Sequence, residues 1–427
     1  MLLLARYALM LTAVLVLAVY VPMLFDASFG ERDKKTHMFY SPVLKKFIWR
    51  ELVVGTPPEG EIEDVHHAQY VQMDQDGNRY TRRDFETMLP FIYYKNMDVW
   101  GLLPLELEGQ VFDKEVMRDE RQVMELKPRQ IAGRSPGDGV HPLIESVPDR
   151  AGLVFPEERF RLDQAMSFIN ADFNVLDREK SIAYTQALSE EGFVFPGRLV
   201  AGKPTILKPF DEGVFLVDHA GAVFHVKQVE GEPWVVRTPI DPAIGVRHIK
   251  ISENSRRDFY GLLLTNDDKI FVISYDNYEL IPLPVDNYDP DRMDFKLIVN
   301  PLYRTAVYSD DTVIRAVAMD SEYTPIDSYE HVMAGATPTL AEQVFSYIVP
   351  FRVDMSDPNT GYAVLRVTTF GVNSLIAIGM ALAAFVAVAL RTRAKGRMLA
   401  LDGVLVAFSG IYGLLAMILA PRENVCP

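Results

Sequence analysis

The stretch on which the reading turns runs from Thr369 to Ala420: TFGVNSLIAIGMALAAFVAVAL (Thr369–Leu390), RTRAKGR (Arg391–Arg397) and MLALDGVLVAFSGIYGLLAMILA (Met398–Ala420). A helix rises about 1.5 Å per residue, so ~20 apolar residues match a hydrocarbon core of roughly 30 Å. Both apolar segments meet that length. The link carries Arg391, Arg393, Lys395 and Arg397, four positive charges in seven residues. So short a link makes the segments an antiparallel helix hairpin, and its charge favours the cytoplasmic side.

A third apolar stretch, Tyr7–Phe25, lies between Arg6 and Asp26. It is longer than the ~7–15 residues of a signal-peptide core and contains Pro22, which favours a retained anchor. Ser28-Phe29-Gly30 is a small-x-small sequence, so cleavage stays open as the alternative. With Arg6 inside, the chain exits after Phe25, re-enters at the second helix and exits after the third. The expectation is an α+β protein of the bacterial inner membrane with three transmembrane helices, its N-terminus cytoplasmic and the bulk of the chain extracytoplasmic. The expected divisions are an anchor (residues 1–26), an α+β region (27–192), a β-rich region (193–336), a membrane-proximal helix and linker (337–368), the hairpin (369–420) and an outer tail (421–427).

Composition narrows the function classes. The 427 residues carry a formal charge of −15, which argues against a nucleic-acid partner. The only cysteine is Cys426, so no internal disulfide and no Cys-based zinc site can form. A large outer region without disulfides must be held by its core.

Within that region, Tyr40–Glu51 (YSPVLKKFIWRE) begins with a Ser cap and a Pro, and Val43, Leu44, Phe47 and Ile48 share a helical face. The pattern predicts a short amphipathic helix, packed on its own domain or lying on a membrane or partner. Val65–Met73 and Asn78–Tyr80 flank Asp74-Gln75-Asp76-Gly77-Asn78, a hairpin turn. Its acids resemble the start of a calcium loop, but the glycine falls one place early and Phe85 stands where a Glu ligand belongs. Thr81 then caps a helix that Pro90 breaks. Arg129–Pro148, with Arg134-Ser135-Pro136-Gly137-Asp138-Gly139 at its centre, is a loop or boundary. Glu157–Asn174 predicts paired strands, and Asp177–Glu191 a helix capped by Asp177 and stopped by Gly192.

From Phe193 onward strands recur in pairs: Gly213–Asp218 with Ala222–Val229, Tyr260–Thr265 with Lys269–Tyr275, and Thr305–Tyr308 with Val313–Met319. Returns follow at Pro233–Pro239, Glu279–Pro284 and Tyr323–Asp327. The period of about 45 residues is near that of propeller blades. Three units fall short of the usual four or more, so the expectation is a propeller-like meander, with an open β-sandwich as alternative. Thr339 and Glu342 form a capping box opening a helix over Leu340–Val349. Gly361–Thr369 connects onward to the second span.

Chemistry-bearing motifs are scarce. The chain lacks a phosphate-binding Gly-rich loop, a His-Glu-x-x-His zinc motif and a Gly-x-Ser-x-Gly elbow. His66-His67 would point to opposite faces of a strand. Glu157-Glu158 and Glu190-Glu191 stand at element ends, where solvation or capping accounts for them. Lys203-Pro204-Thr205 and Lys208–Gly213 form a dense polar stretch, either turn construction or a functional loop. Asp402 is the one acid inside an apolar segment; pairing with Arg391, Arg393 or Lys395, or snorkelling, would satisfy it. Gly379, Ala383, Gly403, Gly410 and Gly413 offer small surfaces for helix contact. These residues single out no catalytic, cofactor-binding or metal site, and no cofactor is expected.

Several stretches together resemble a bacterial membrane-protein family designated only as a domain of unknown function: Tyr40–Phe47 (YSPVLKKF), Tyr80–Tyr94 (YTRRDFETMLPFIYY), Gly192–Pro196 (GFVFP), Ala201–Gly213 (AGKPTILKPFDEG) and Val223–Lys227 (VFHVK). The resemblance implies a protein associated with the membrane and ATP-binding subunits of ABC transporters, and it carries no site residues over. The expected function is a non-enzymatic accessory or permease-like subunit of an ABC-type transport or cell-envelope system. An anchored glycan-active periplasmic enzyme and an extracytoplasmic ligand sensor are the alternatives.

Overall fold

A computed structural model of the chain describes residues 2–29, 36–52, 70–137, 139–391 and 397–420. The chain falls into two compact units: Lys35–Met333, and a unit that joins Met1–Lys34 to Ala334–Pro427. Residues 392–396 of the predicted link, residues 65–69 of the predicted Val65–Met73 strand with the pair His66-His67, Asp138 and the tail at 421–427 lie outside the described residues.

The first element is helix α1 (Leu2–Phe29). In the larger unit β1 (His37–Ser41), β2 (Lys46–Leu52), β3 (Tyr70–Asp74) and β4 (Arg79–Tyr80) form an antiparallel meander. Here the predicted helix over Tyr40–Glu51 gives way to a hairpin. Ser41 and Pro42 are turn signals: Leu44 N–H donates to Ser41 Oγ, and Lys45 takes a positive φ of 53°. Phe47 and Trp49 then face one core and Ile48 another, the two-residue alternation of a strand. The Asp74–Asn78 hairpin turn and the Thr81 cap of α2 (Arg82–Thr87) form as predicted. Short elements follow: α3 (Tyr94–Val99), β5 (Leu105–Leu107), β6 (Gln110–Phe112), α4 (Lys114–Asp119) and β7 (Gln122–Leu126).

Beyond the Arg129–Pro148 loop come β8 (Glu158–Leu162), β9 (Met166–Asn170), β10 (Val175–Asp177) and α5 (Arg178–Glu190), capped by the Asp177 carboxylate. The three predicted strand pairs are then present, each within a four-stranded meander. The first holds β11 (Leu199–Gly202), β12 (Val214–Val217), β13 (Val223–Val229) and β14 (Glu232–Arg237). The second holds β15 (Val246–Ile251), β16 (Phe259–Thr265), β17 (Ile270–Ser274) and β18 (Leu280–Pro282). The third holds β19 (Asp294–Val299), β20 (Arg304–Ser309), β21 (Val313–Met319) and β22 (Pro325–Val332), and β7 pairs with β19 as a fifth strand.

These meanders stack, and the side-chain alternation shows the order. On β12, Val214 and Leu216 join the core shared with β8, β9 and α5, while Phe215 and Val217 join the core shared with β15–β17. On β16, Leu263 meets the first meander, and Leu262 and Leu264 meet the third. On β21, Val317 and Met319 face β16–β17, and Ile314, Ala316 and Ala318 face β1 and β2. Central strands covered on both faces read as continuous apolar runs, which is why FYGLLLT in β16 is buried throughout. Among the described residues the layers form an open stack with no closed barrel or propeller, so the expected propeller-like meander gives way to stacked antiparallel sheets.

The smaller unit joins α1 to α6 (Leu340–Ile348), β23 (Phe351–Asp354), β24 (Arg366–Thr369), α7 (Val372–Arg391), α8 (Arg397–Ser409) and α9 (Ile411–Leu419). The Thr339–Glu342 capping box is present. Arg366–Thr369, expected as plain connection, pairs with β23. Among the described residues two helices are long and apolar enough to cross a membrane, Leu4–Phe29 and Val372–Arg391. The third predicted span does not form as one helix. It breaks at Gly410, whose φ of 55° and ψ of −130° interrupt the ladder, and where a Cβ would lie 2.9 Å from Pro350. The pieces of 13 and 9 residues reach only about 20 and 13 Å at helical rise. Met10, Val14 and Ala18 of α1 pack with Tyr412 and Ala416 of α9, and Phe385 of α7 with Val406 of α8.

Candidate functional site

The polar stretch between β11 and β12 folds inward around a buried ion cluster. Lys208 Nζ donates to Asp211 Oδ2, to Glu253 Oε1 at 2.6 Å and to the Lys203 carbonyl at 3.1 Å. The side chains of Lys208, Asp211 and Glu253 are 1, 2 and 0% exposed. Asp211 Oδ1 accepts from Gly213 N–H and Ser146 Oγ–H, and Glu253 Oε1 also accepts from Glu212 N–H. Gly213 makes this turn possible. Its φ is +69°, and a Cβ would fall 2.1 Å from the Val226 carbonyl oxygen.

Next to it Glu212 accepts from Lys227 Nζ and from the Tyr275 hydroxyl, and its carbonyl meets His225 Nε2. A carbonyl only accepts, so Nε2 carries the proton and Nδ1 accepts from the Tyr278 hydroxyl at 3.0 Å. His225 stacks on Phe215, and burial pushes its pKa down to about 3. A neutral imidazole with both nitrogens engaged is poorly placed for proton transfer near neutrality. Burial also dominates at Glu253 and raises its carboxyl, against hydrogen bonds from Glu212 N–H and Lys208. Two ammonium groups face three carboxylates in this cluster, so a proton on Glu253 would leave it neutral. Glu253 Oε2 is buried without a hydrogen-bond partner.

A cleft of about 70 Å³ touches the cluster, lined by His141, Ile144, Val200, Lys203, Asp211 and Gly213 among others. At ~30 Å³ per molecule that is room for about two waters. Of the groups singled out in the sequence, Lys203–Gly213 is the stretch that the fold gathers into a centre. Glu253 and Tyr275 come from positions that the sequence did not single out, whereas His225 and Lys227 lie in VFHVK, one of the stretches that carry the family resemblance.

The remaining candidates have structural partners. Asp74 accepts from Asp76 N–H, Asn78 N–H, Asn78 Nδ2 and Tyr80 Oη, so its oxygens close a turn rather than face outward. Burial alone would raise its pKa, but the donors from Asn78 and Tyr80 outweigh burial and hold it low. Glu158 pairs with Lys180 at 3.6 Å. Among the described residues no group of three or more His, Cys, Asp or Glu could hold a metal.

In the smaller unit, Asp402 finds a partner other than those predicted. Its carboxylate, fully buried, accepts from Arg6 Nη1 at 2.9 Å, from Arg6 Nη2 at 3.3 Å and from the Tyr7 hydroxyl at 2.9 Å. Arg6 Nε also donates to the Ala420 carbonyl at 3.2 Å. The N-terminal helix thus supplies a counter-charge to Asp402, while Arg393 and Lys395, two of the partners expected from the sequence, lie outside the described residues.

The family described as "Domain of unknown function (DUF4857)" matches residues 37–319. The chain belongs to the DUF4857 family. The matched region holds the stacked meanders and the Lys208 cluster, and excludes the two long apolar helices. No curated protein matches the chain.

Proposed function

We propose that this DUF4857 protein is a non-enzymatic, membrane-anchored accessory subunit of an ABC-type transport or cell-envelope system, with Lys35–Met333 binding a partner outside the cytoplasmic membrane. The observation that carries the reading is the arrangement of the smaller unit. It draws together an apolar helix from each end of the chain, each long enough to span, and the β-rich unit is inserted between them in sequence. Arg6 precedes the apolar run of the first helix and Arg391 ends the second, so the positive-inside rule puts both on the cytoplasmic side if each helix crosses once. Residues between the two crossings then lie outside. The broken α8–α9 segment gives the protein too little spanning helix for a translocation path of its own, which favours an accessory over a permease role. The ABC association rests on the family resemblance. Affinity purification of the full chain from native membranes is the test. An ATP-binding subunit should copurify, and its repeated absence would refute the proposal.

A further inference from the structure

Helix α6 wears its apolar side outward. Leu340, Val344, Tyr347 and Ile348 stand at i, i+4, i+7 and i+8, one stripe about 100° wide. They are 77, 51, 43 and 43% exposed. The inward side carries Phe345, packed against the core of the smaller unit, and the buried Ser346, whose Oγ accepts from Asn373 Nδ2 at 2.9 Å. A helix packed on a water-soluble core does not leave a second apolar stripe of this width outside.

The tethers of α6 fix where this stripe lies. Phe345 stacks on Phe25 at 3.9 Å, near the C-terminal end of α1, and Ser346 is held by Asn373, the second residue of α7. Both anchoring points are the same-side ends of the two helices long enough to span. The same ends of those helices carry exposed apolar side chains of their own, Leu24 of α1 and Val372 of α7, 65 and 72% exposed. We propose that α6 lies in the bilayer–water boundary on the extracytoplasmic side, with Leu340, Val344, Tyr347 and Ile348 facing the acyl chains. The occupant of the stripe is lipid because α6 is tethered to the ends of both spans, whose own apolar side chains are exposed, and the Tyr347 ring can sit in the boundary with its hydroxyl toward the headgroups. This inference rests on the membrane reading above.

The test uses the full chain with Cys426→Ser, carrying Val344→Cys or Met380→Cys labelled with an environment-sensitive fluorophore. The samples are nanodiscs of phosphatidylcholine and phosphatidylglycerol brominated at shallow or deep acyl positions. Met380 is eight residues into α7, about 12 Å at helical rise, and reports on the bilayer centre. A label on α6, about 5–10 Å into the boundary, should be quenched at least about 2-fold more by shallow than by deep bromines. The Met380 label should show the reverse order. Quenching of the Val344 label by aqueous iodide but not by bromolipid, with Met380 still quenched by deep bromines, would overturn the α6 assignment and leave the anchor reading standing. Protection of Val344 from both quenchers would mean a protein covers the stripe, and would also overturn it. Absence of lipid quenching at Met380 would bring down the membrane reading and this inference with it.

Discussion

The contact between Arg6 and Asp402 makes a quantitative demand on the smaller unit. Asp402 is fully buried, with both carboxylate oxygens engaged by Arg6, which is itself 11% exposed. Removing one partner of a buried pair costs about 3–5 kcal/mol, because the other charge is left desolvated. The two truncations are unequal here. Asp402→Ala leaves Arg6, which is partly exposed, still donating to the Ala420 carbonyl, so its cost should be about 1–3 kcal/mol. Arg6→Ala takes the guanidinium from a carboxylate that stays buried and should cost about 3–5 kcal/mol. In Arg6→Ala/Asp402→Ala no charge is stranded, so the double variant should be more stable than Arg6→Ala alone, with a coupling of about 1–3 kcal/mol. Equilibrium unfolding of the full chain in mixed detergent micelles, for all four members of the cycle, measures this. Strictly additive losses would show that the pair is not made and that α1 is not locked to the C-terminal helices by charge.

The larger unit should be acid-sensitive above the range in which ordinary carboxylates titrate. His225 has a folded pKa of about 3 and an ordinary value near 6.5, and burial likewise holds His248 at about 4. Below about 6.5 the unfolded chain binds protons that the folded one refuses, so each histidine removes about 1.4 kcal/mol of stability per pH unit as pH falls. Glu253 acts in the opposite sense. Its raised folded pKa gives stability at low pH that is lost as pH rises through that value. Trp234, 5.3 Å from the His225 ring, is the reporter, and a flat unfolding free energy between about pH 6.5 and 4.5 would contradict the histidine assignment. Gly213→Ala should cost more than Gly77→Ala. Both glycines have positive φ, so each substitution carries about 1 kcal/mol of backbone strain, but only at Gly213 does the new Cβ meet a carbonyl oxygen. Denaturant midpoints compare the two, and equal losses would mean that the Lys208 loop relaxes freely.

The three meanders were legible because each announces itself twice, by apolar runs of strand length and by a turn with its own chemistry. Asp310 Oδ1 accepting from Thr312 and Val313 N–H is such a turn, and short-range signals of this kind survive in the sequence. Their stacking order was not legible, because it depends on which of two apolar faces meets which neighbour. Tyr40–Glu51 misled for a related reason. Val43 and Leu44 belong to the turn and Phe47 and Ile48 to opposite faces of β2, yet together they imitate a helical stripe. Gly410 was visible as a small residue, but its breaking of a helix depends on Pro350, sixty residues earlier, which no window along the chain contains.

The buried charges show where local reading ends and what replaces it. Lys208 and Asp211 sit three residues apart in a stretch the sequence already marked, whereas Glu253 is 45 positions away and looks like any surface acid. Asp402 stood out only because an acid in an apolar run is costly, and its partner lies 396 positions off at the other end of the chain. In both units the same physical requirement selects the partner: a charge withdrawn from water must meet an opposite one with hydrogen-bonding geometry. Such a requirement is poorly served by neighbours in sequence, because a local pair can form while the chain is still open. A distant pair forms only when the elements carrying it have docked. The Lys208–Glu253 bond therefore reports that the first and second meanders are in register, and the Arg6–Asp402 bond that α1 has found the C-terminal helices.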